Sequence, residues 1–132
     1  MNELTHNDEK RFSVLVVDDE PANIDILLGI LKPFYNVKVA PSGHVALKVV
    51  QQFTPDLILL DIMMPGMDGY EVAELMRGNK KNKHIPIIFV TAASKASSHI
   101  FRGYESGAVD YLLKPLIPVM FQSKVGVFIE LY

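Results

Sequence analysis

The sequence contains no cysteine. That excludes disulfides, thiolate zinc sites and cysteine nucleophiles, and it fits a reducing compartment. Long hydrophobic runs are also missing: none reaches the roughly 18 apolar residues that a membrane-spanning helix requires. Residues 1–11 form a polar leader of mixed charge, without the apolar stretch of a signal peptide. No membrane association and a cytoplasmic location are therefore expected. One-sided charge is lacking too. Thirteen Lys and Arg against 15 Asp and Glu leave a net charge of −2, too little to steer the chain to nucleic acid or an acidic membrane. No repeat, low-complexity tract or interdomain linker interrupts the chain, and no DNA-binding module follows from these residues.

The content that remains suits one compact domain: 132 residues, of which 49% are hydrophobic and 21% charged. Short apolar runs alternate with segments of helical period. Ser13–Val17 is β-branched and nearly all apolar, the pattern of a strand covered on both faces. Pro21 suits the first position of a helix carrying Ile24, Leu27, Leu28 and Leu31, and Pro33 limits its extension. Residues 35–40 alternate like a strand exposed on one face. Ser42 can cap a second helix with Val45, Ala46, Val49 and Val50 inward.

Residues 56–61 (DLILLD) form a second wholly apolar strand bounded by carboxylates. Asp68 and Glu71 have capping-box spacing and open a third helix, with Val72, Leu75 and Met76 inward. Residues 78–84 read as a basic, solvated turn, and residues 85–91 as another apolar strand. A weaker helix over 97–106 carries Ile100, Phe101 and Tyr104 and stops at Gly107. A fifth strand spans 109–113, and Pro118 opens a last helix. Five βα units in sequence imply a parallel sheet with helices on both faces and right-handed crossovers. In such folds chemistry gathers at the carboxyl ends of the strands.

Those ends carry Asp18, Asp19 and Glu20, then Asp61, then Thr91, then Lys114 with Pro115. Taken singly, each has an ordinary structural reading: a solvated acidic turn, a strand-terminal Thr, a surface Lys. Their joint occurrence at matching strand ends favours a site. Clustered carboxylates need a cation, and an all-oxygen set suits Mg²⁺, which keeps several waters and also binds phosphate oxygens. A metal held by Asp18, Asp19 and Asp61 would template an incoming phosphoryl group for attack by Asp61. Lys114 supplies a counter-charge for a phosphate oxygen, and the Thr91 hydroxyl a hydrogen bond to another.

The runs VVDDEP (16–21), DLILLDIMMPGMDG (56–69), IIFVTA (87–92) and GAVDYLLKP (107–115) resemble the receiver domain of bacterial response regulators, in family order and over residues 12–132. The resemblance implies a flavodoxin-like (βα)5 fold, a doubly wound parallel five-stranded sheet of order 2-1-3-4-5. It implies Asp61 as the phosphorylation site. Asp18, Asp19, Asp61 and the backbone carbonyl of Met63 are then ligands of Mg²⁺ or Mn²⁺. Thr91 is the switch hydroxyl, Tyr111 the switch aromatic, and Lys114 the phosphate-facing lysine, with a cis Lys114–Pro115 peptide. Met63 and Ala93 fall where the family modulates water access to the phosphoryl group. Neither has a polar side chain to position water, so a long-lived phosphorylated state is expected.

The implied donor is the phosphohistidine of a histidine kinase or phosphotransfer domain, with a small-molecule phosphodonor as another source. Signalling would rest on slow self-phosphorylation and dephosphorylation rather than on turnover. After Pro118, Phe121, Val125, Phe128 and Tyr132 form one apolar line, and Met120, Val127 and Leu131 a second. One line covers the sheet. The other points to a homodimer through the face of the fourth helix, fifth strand and fifth helix, or to an output module fused C-terminally or bound in trans.

Two rival functions fit less well. A haloacid-dehalogenase-like phosphatase needs a second Asp two positions after its nucleophile, where this chain has Met63. A flavodoxin-like flavin binder needs a phosphate-cradling loop after the first strand, where Asp18, Asp19 and Glu20 would repel phosphate. His6, His44, His84 and His99 show no metal-ligand spacing and read as surface residues.

Overall fold

The computed structural model describes residues 11–92, 110–114 and 122–127; at 91, 92, 110, 111, 113 and 114 it describes the backbone alone. The strands are β1 (Ser13–Val17), β2 (Asn36–Ala40), β3 (Leu57–Asp61), β4 (Ile87–Ala92) and β5 (Asp110–Lys114). The helices are α1 (Pro21–Leu31), α2 (Gly43–Gln52) and α3 (Gly69–Arg77), with a further helical stretch over residues 122–127. All pairings are parallel and the order is β2-β1-β3-β4-β5, as the family resemblance implies. The expected helix over 97–106 and the cis peptide at Pro115 lie outside the described residues. So do His6, Ala93 and His99.

Strand alternation divides the core into two layers. Leu15 and Val17 of β1, with Ile58 and Leu60 of β3, face α2 and α3 in a cluster with Val50, Val72 and Met76. Val14, Val16, Leu57 and Leu59 face the opposite way, joining Leu27 and Leu31 of α1 and Val125 of the last helical stretch. Both faces of β1 and β3 are thus covered, and the apolar runs have no solvent side. Each fully buried Val or Leu contributes about 1.5–3 kcal/mol, so these central strands form the firmest part of the scaffold.

Local chemistry sets the ends of the elements. Pro21 begins α1, and Ser42 caps α2 by accepting from the Val45 N–H at 3.2 Å. In α3 the full capping box is present: Asp68 accepts from the Glu71 N–H at 2.9 Å, and the Asp68 N–H donates to Glu71 Oε1 at 3.3 Å. Asp56 precedes β3 rather than belonging to it, and it pins β3 to β1. Its N–H donates to the Ser13 carbonyl at 2.8 Å, and its Oδ2 accepts from the Ser13 N–H at 2.8 Å.

Two expectations, on Leu75 and on the basic turn, need correction. Leu75, read as inward, is 52% exposed; the buried stripe of α3 runs through Gly69, Val72, Ala73 and Met76, and Leu75 falls on the far side of the helix. On β2, the edge strand, Val39 is exposed while Val37 packs against the core and Ala40 is buried. The basic turn is solvated at Lys80, Lys81, Lys83 and His84, but Asn82 is buried beneath it. Among the described residues, no helix is long and apolar enough to cross a membrane.

Candidate functional site: an acidic cluster at the strand ends

The order β2-β1-β3 means that the chain leaves β1 toward β2 on one side and returns to β3 on the other. The loops after β1 and β3 therefore diverge and open a crevice between them, the usual ligand position in open parallel sheets. Register then fixes what lies at its floor. Val17 is opposite Leu60, so the next step places Asp18 level with Asp61. Their side chains share the parity of Val16 and Leu59 and emerge on the same face of the sheet.

Asp18, Asp19 and Asp61 each offer a carboxylate oxygen, and these oxygens lie within 4.8 Å of one another. Asp18 is 1% and Asp61 3% exposed, while Asp19 is partly open and Glu20 faces solvent. The loops hold the two buried groups in place. The Glu20 N–H donates to Asp18 Oδ1 at 2.9 Å, and the Met63 N–H donates to Asp61 Oδ1 at 3.3 Å. Both are short-range turns in which a carboxylate binds the backbone two residues on.

Buried carboxylates at this spacing repel one another in a medium that screens poorly. A hard divalent cation with oxygen ligands relieves that repulsion, so the donor set fits a metal of the Mg²⁺ type.

Thr91 stands on the backbone one step beyond the level of Asp61, since Asp61 is opposite Val90. Lys114 ends β5 opposite Ala92, and Tyr111 is opposite Phe89. These three positions are thus placed by register, and their side chains lie outside the described residues. Met63 is described, and its side chain is 52% exposed. An open pocket of about 560 Å³ adjoins it, lined by residues of the β3–α3 loop that include Met63, Met64 and Pro65.

Sequence reasoning missed Gly69. A Cβ there would run into the Asp61 carbonyl oxygen and come within 2.9 Å of Ile62 Cα. The Gly69 N–H also donates to the Ile62 carbonyl at 3.0 Å, so the start of α3 rests directly on the end of β3. The one available signal was the Asp-Gly pair that opens the helix, and that pair reads only as a cap. Gly66, at φ 77°, supplies the left-handed turn that brings the loop back. His44 and His84 are exposed, as expected.

A family model described as the response regulator receiver domain matches residues 14–125. A Vibrio cholerae serotype O1 protein named "Probable cyclic di-GMP phosphodiesterase" is 40% identical over 133 residues, covering 98% of this chain and 30% of its own length. The response regulator PleD of Caulobacter vibrioides is 42% identical over 113 residues, covering 85% of this chain and 25% of its own. The chain therefore spans less than a third of each of these two relatives. The solved structure of the Vibrio cholerae chemotaxis protein CheY4 superposes with a TM-score of 0.84 at 28% identity, covering 89% of this chain and 98% of that one. Receiver domains of this kind work between histidine kinases and output domains. With the sheet order, the crevice and the family match in agreement, the chain belongs to the response regulator receiver family and serves as a receiver in phosphorelay signalling.

Proposed function

We propose that Asp61 is the phosphoryl acceptor and that the receiver stores its signal there as an acyl phosphate. The observation that carries this reading is the burial of Asp18 and Asp61 within one carboxylate cluster at the crevice floor. Asp18, Asp19, Asp61 and the backbone carbonyl of Met63 would hold Mg²⁺ or Mn²⁺. When bound, such a cation supplies charge neutralisation for the phosphoryl oxygens.

The chain's own residues do the rest. Asp61, held by the Met63 N–H at one oxygen, presents the other to the phosphorus of the donor. The new bond forms between that oxygen and phosphorus as the bond to the donor breaks, and the electron pair leaves with the donor group. Lys114 balances negative charge on the transferred group, and the Thr91 hydroxyl donates to one of its oxygens. Movement of Thr91 toward that oxygen frees space for Tyr111 one strand away. The signal then passes toward the last helix as a shift between two packings.

The donor in this reading is a phosphohistidine on a histidine kinase or phosphotransfer domain. Chemistry is limited to uptake and slow loss of one phosphoryl group. The output is a module fused C-terminally or bound in trans, and a homodimer forms through the face containing the last helix. Val127, 53% exposed on that helix, supports an apolar contact there.

Incubation of the chain with acetyl phosphate and Mg²⁺, read by intact mass, tests the central step. One phosphate should add, and chelation of the metal should prevent it. Addition that persists in full without a divalent cation would contradict the metal assignment.

A further inference from the structure

Sulfur in this chain is confined to six methionines. Of the four that are described, Met64 is 7% and Met76 1% exposed, and Met67 is partly buried. Met63 stands apart. Its side chain is 52% exposed, its N–H donates to an oxygen of Asp61 at 3.3 Å, and it lines the open pocket of the β3–α3 loop. The most exposed sulfur among the described residues thus belongs to the residue whose backbone holds an oxygen of Asp61.

We propose that Met63 is a peroxide-sensitive modification site that sets the lifetime of the signal. The thioether sulfur attacks the distal oxygen of hydrogen peroxide; an S–O bond forms, the O–O bond breaks, and water is released. Sulfur is oxidised by two electrons and the peroxide is reduced by two. The product replaces an apolar side chain by a strong hydrogen-bond acceptor at the mouth of the site. That oxygen can accept from a water and hold it facing the phosphoryl group. The water then attacks phosphorus, the bond to Asp61 breaks with its electron pair returning to the carboxylate, and the proton passes to the departing phosphate. Methionine sulfoxide reductases reverse the modification. Oxidation would therefore erase the signal faster without touching the acceptor. The lifetime half of this proposal rests on Asp61 being the phosphoryl acceptor; the oxidation half does not.

The test treats the full chain with graded hydrogen peroxide and maps the added oxygen by peptide mass. Among Met63, Met64, Met67 and Met76, the first oxygen should appear on Met63. Singly oxidised and untreated chains are then phosphorylated with acetyl phosphate, and phosphate loss is followed by intact mass. The oxidised chain should lose phosphate roughly fivefold faster, the effect of one ordinary hydrogen bond on a barrier. Peroxide treatment of Met63→Leu should leave that variant's own decay rate where it was. Oxidation of Met64, Met67 or Met76 ahead of Met63 overturns the modification site. Equal decay in oxidised and untreated chains, or acceleration by peroxide in Met63→Leu, overturns the lifetime claim. No phosphate uptake by the untreated chain overturns the Asp61 reading and the lifetime claim with it, while the oxidation map is still read on its own.

Discussion

At position 69 a side chain of any size meets backbone, because α3 begins in contact with the carbonyl of Asp61 and with Ile62 Cα. The helix start thereby fixes the strand end on which the acidic cluster stands. Gly69→Ala must push the two apart, and overpacking of this kind costs about 1–3 kcal/mol. Denaturant melts should show that loss, accompanied by weaker phosphate uptake; an unchanged midpoint and unchanged uptake would show that the contact yields freely.

Met63 makes a second prediction at the same scale. With no polar atom on its exposed side chain to orient water, the unoxidised receiver should keep its phosphoryl group for many minutes, and loss within seconds would contradict that. Asp18, Asp19 and Asp61 were legible in sequence because Asp18 and Asp61 directly end apolar runs and Asp19 adjoins Asp18. Gly69 was not, because a close approach between a helix start and a strand end is a property of packing that an Asp-Gly pair does not encode.

Element boundaries follow from local chemistry wherever a side chain closes on nearby backbone. The Asp68 and Glu71 capping box is such a case, and Asp68→Ala should destabilise the domain by about 1 kcal/mol through loss of the cap. The turn after α3 is held from farther away. Arg77 donates from Nη1 to the Lys83 carbonyl at 3.0 Å and to the Ile85 carbonyl at 3.1 Å, and Lys81 Nζ donates to the Gln51 carbonyl at the end of α2.

Burial lowers the Arg77 pKa from its ordinary value, yet a guanidinium stays protonated at neutral pH, so both bonds keep a charged donor. Arg77→Ala should cost about 1–2 kcal/mol, a figure kept low by the partial exposure of the group, and should speed amide exchange in residues 78–85. Intact protection there would contradict the role. The sequence showed this turn as a solvated basic loop and left Arg77 unremarked, since its partners lie six and eight residues on and no short-range pattern marks them. Leu75 misled for a related reason: an apolar residue near a helical stripe is not on it, and only the position of the sheet decides which side is inward.

For the whole molecule, the sheet order brings Asp18 and Asp19 after β1 together with Asp61 at the end of β3 in one crevice. The parallel sheet was legible because five alternating units with two-sided apolar strands admit few topologies, whereas its order came only with the resemblance to receiver domains. The exposure of Val39 was not, because strand patterning does not say which strand lies at the edge. A buried carboxylate cluster also links metal to folding. A cation that binds the folded chain alone stabilises it by mass action, so Mg²⁺ should raise the Tm of the wild type and much less that of Asp18→Asn. An equal rise in both would place the metal elsewhere.

The claim on which the rest depends is that Asp61 takes the phosphoryl group. Intact mass after incubation with Mg²⁺ and acetyl phosphate measures it directly, with peptide mapping of the product. The account predicts one phosphate, located on Asp61 and lost completely in Asp61→Asn. A phosphate that maps to another residue, or that persists in a folded Asp61→Asn chain, would contradict it.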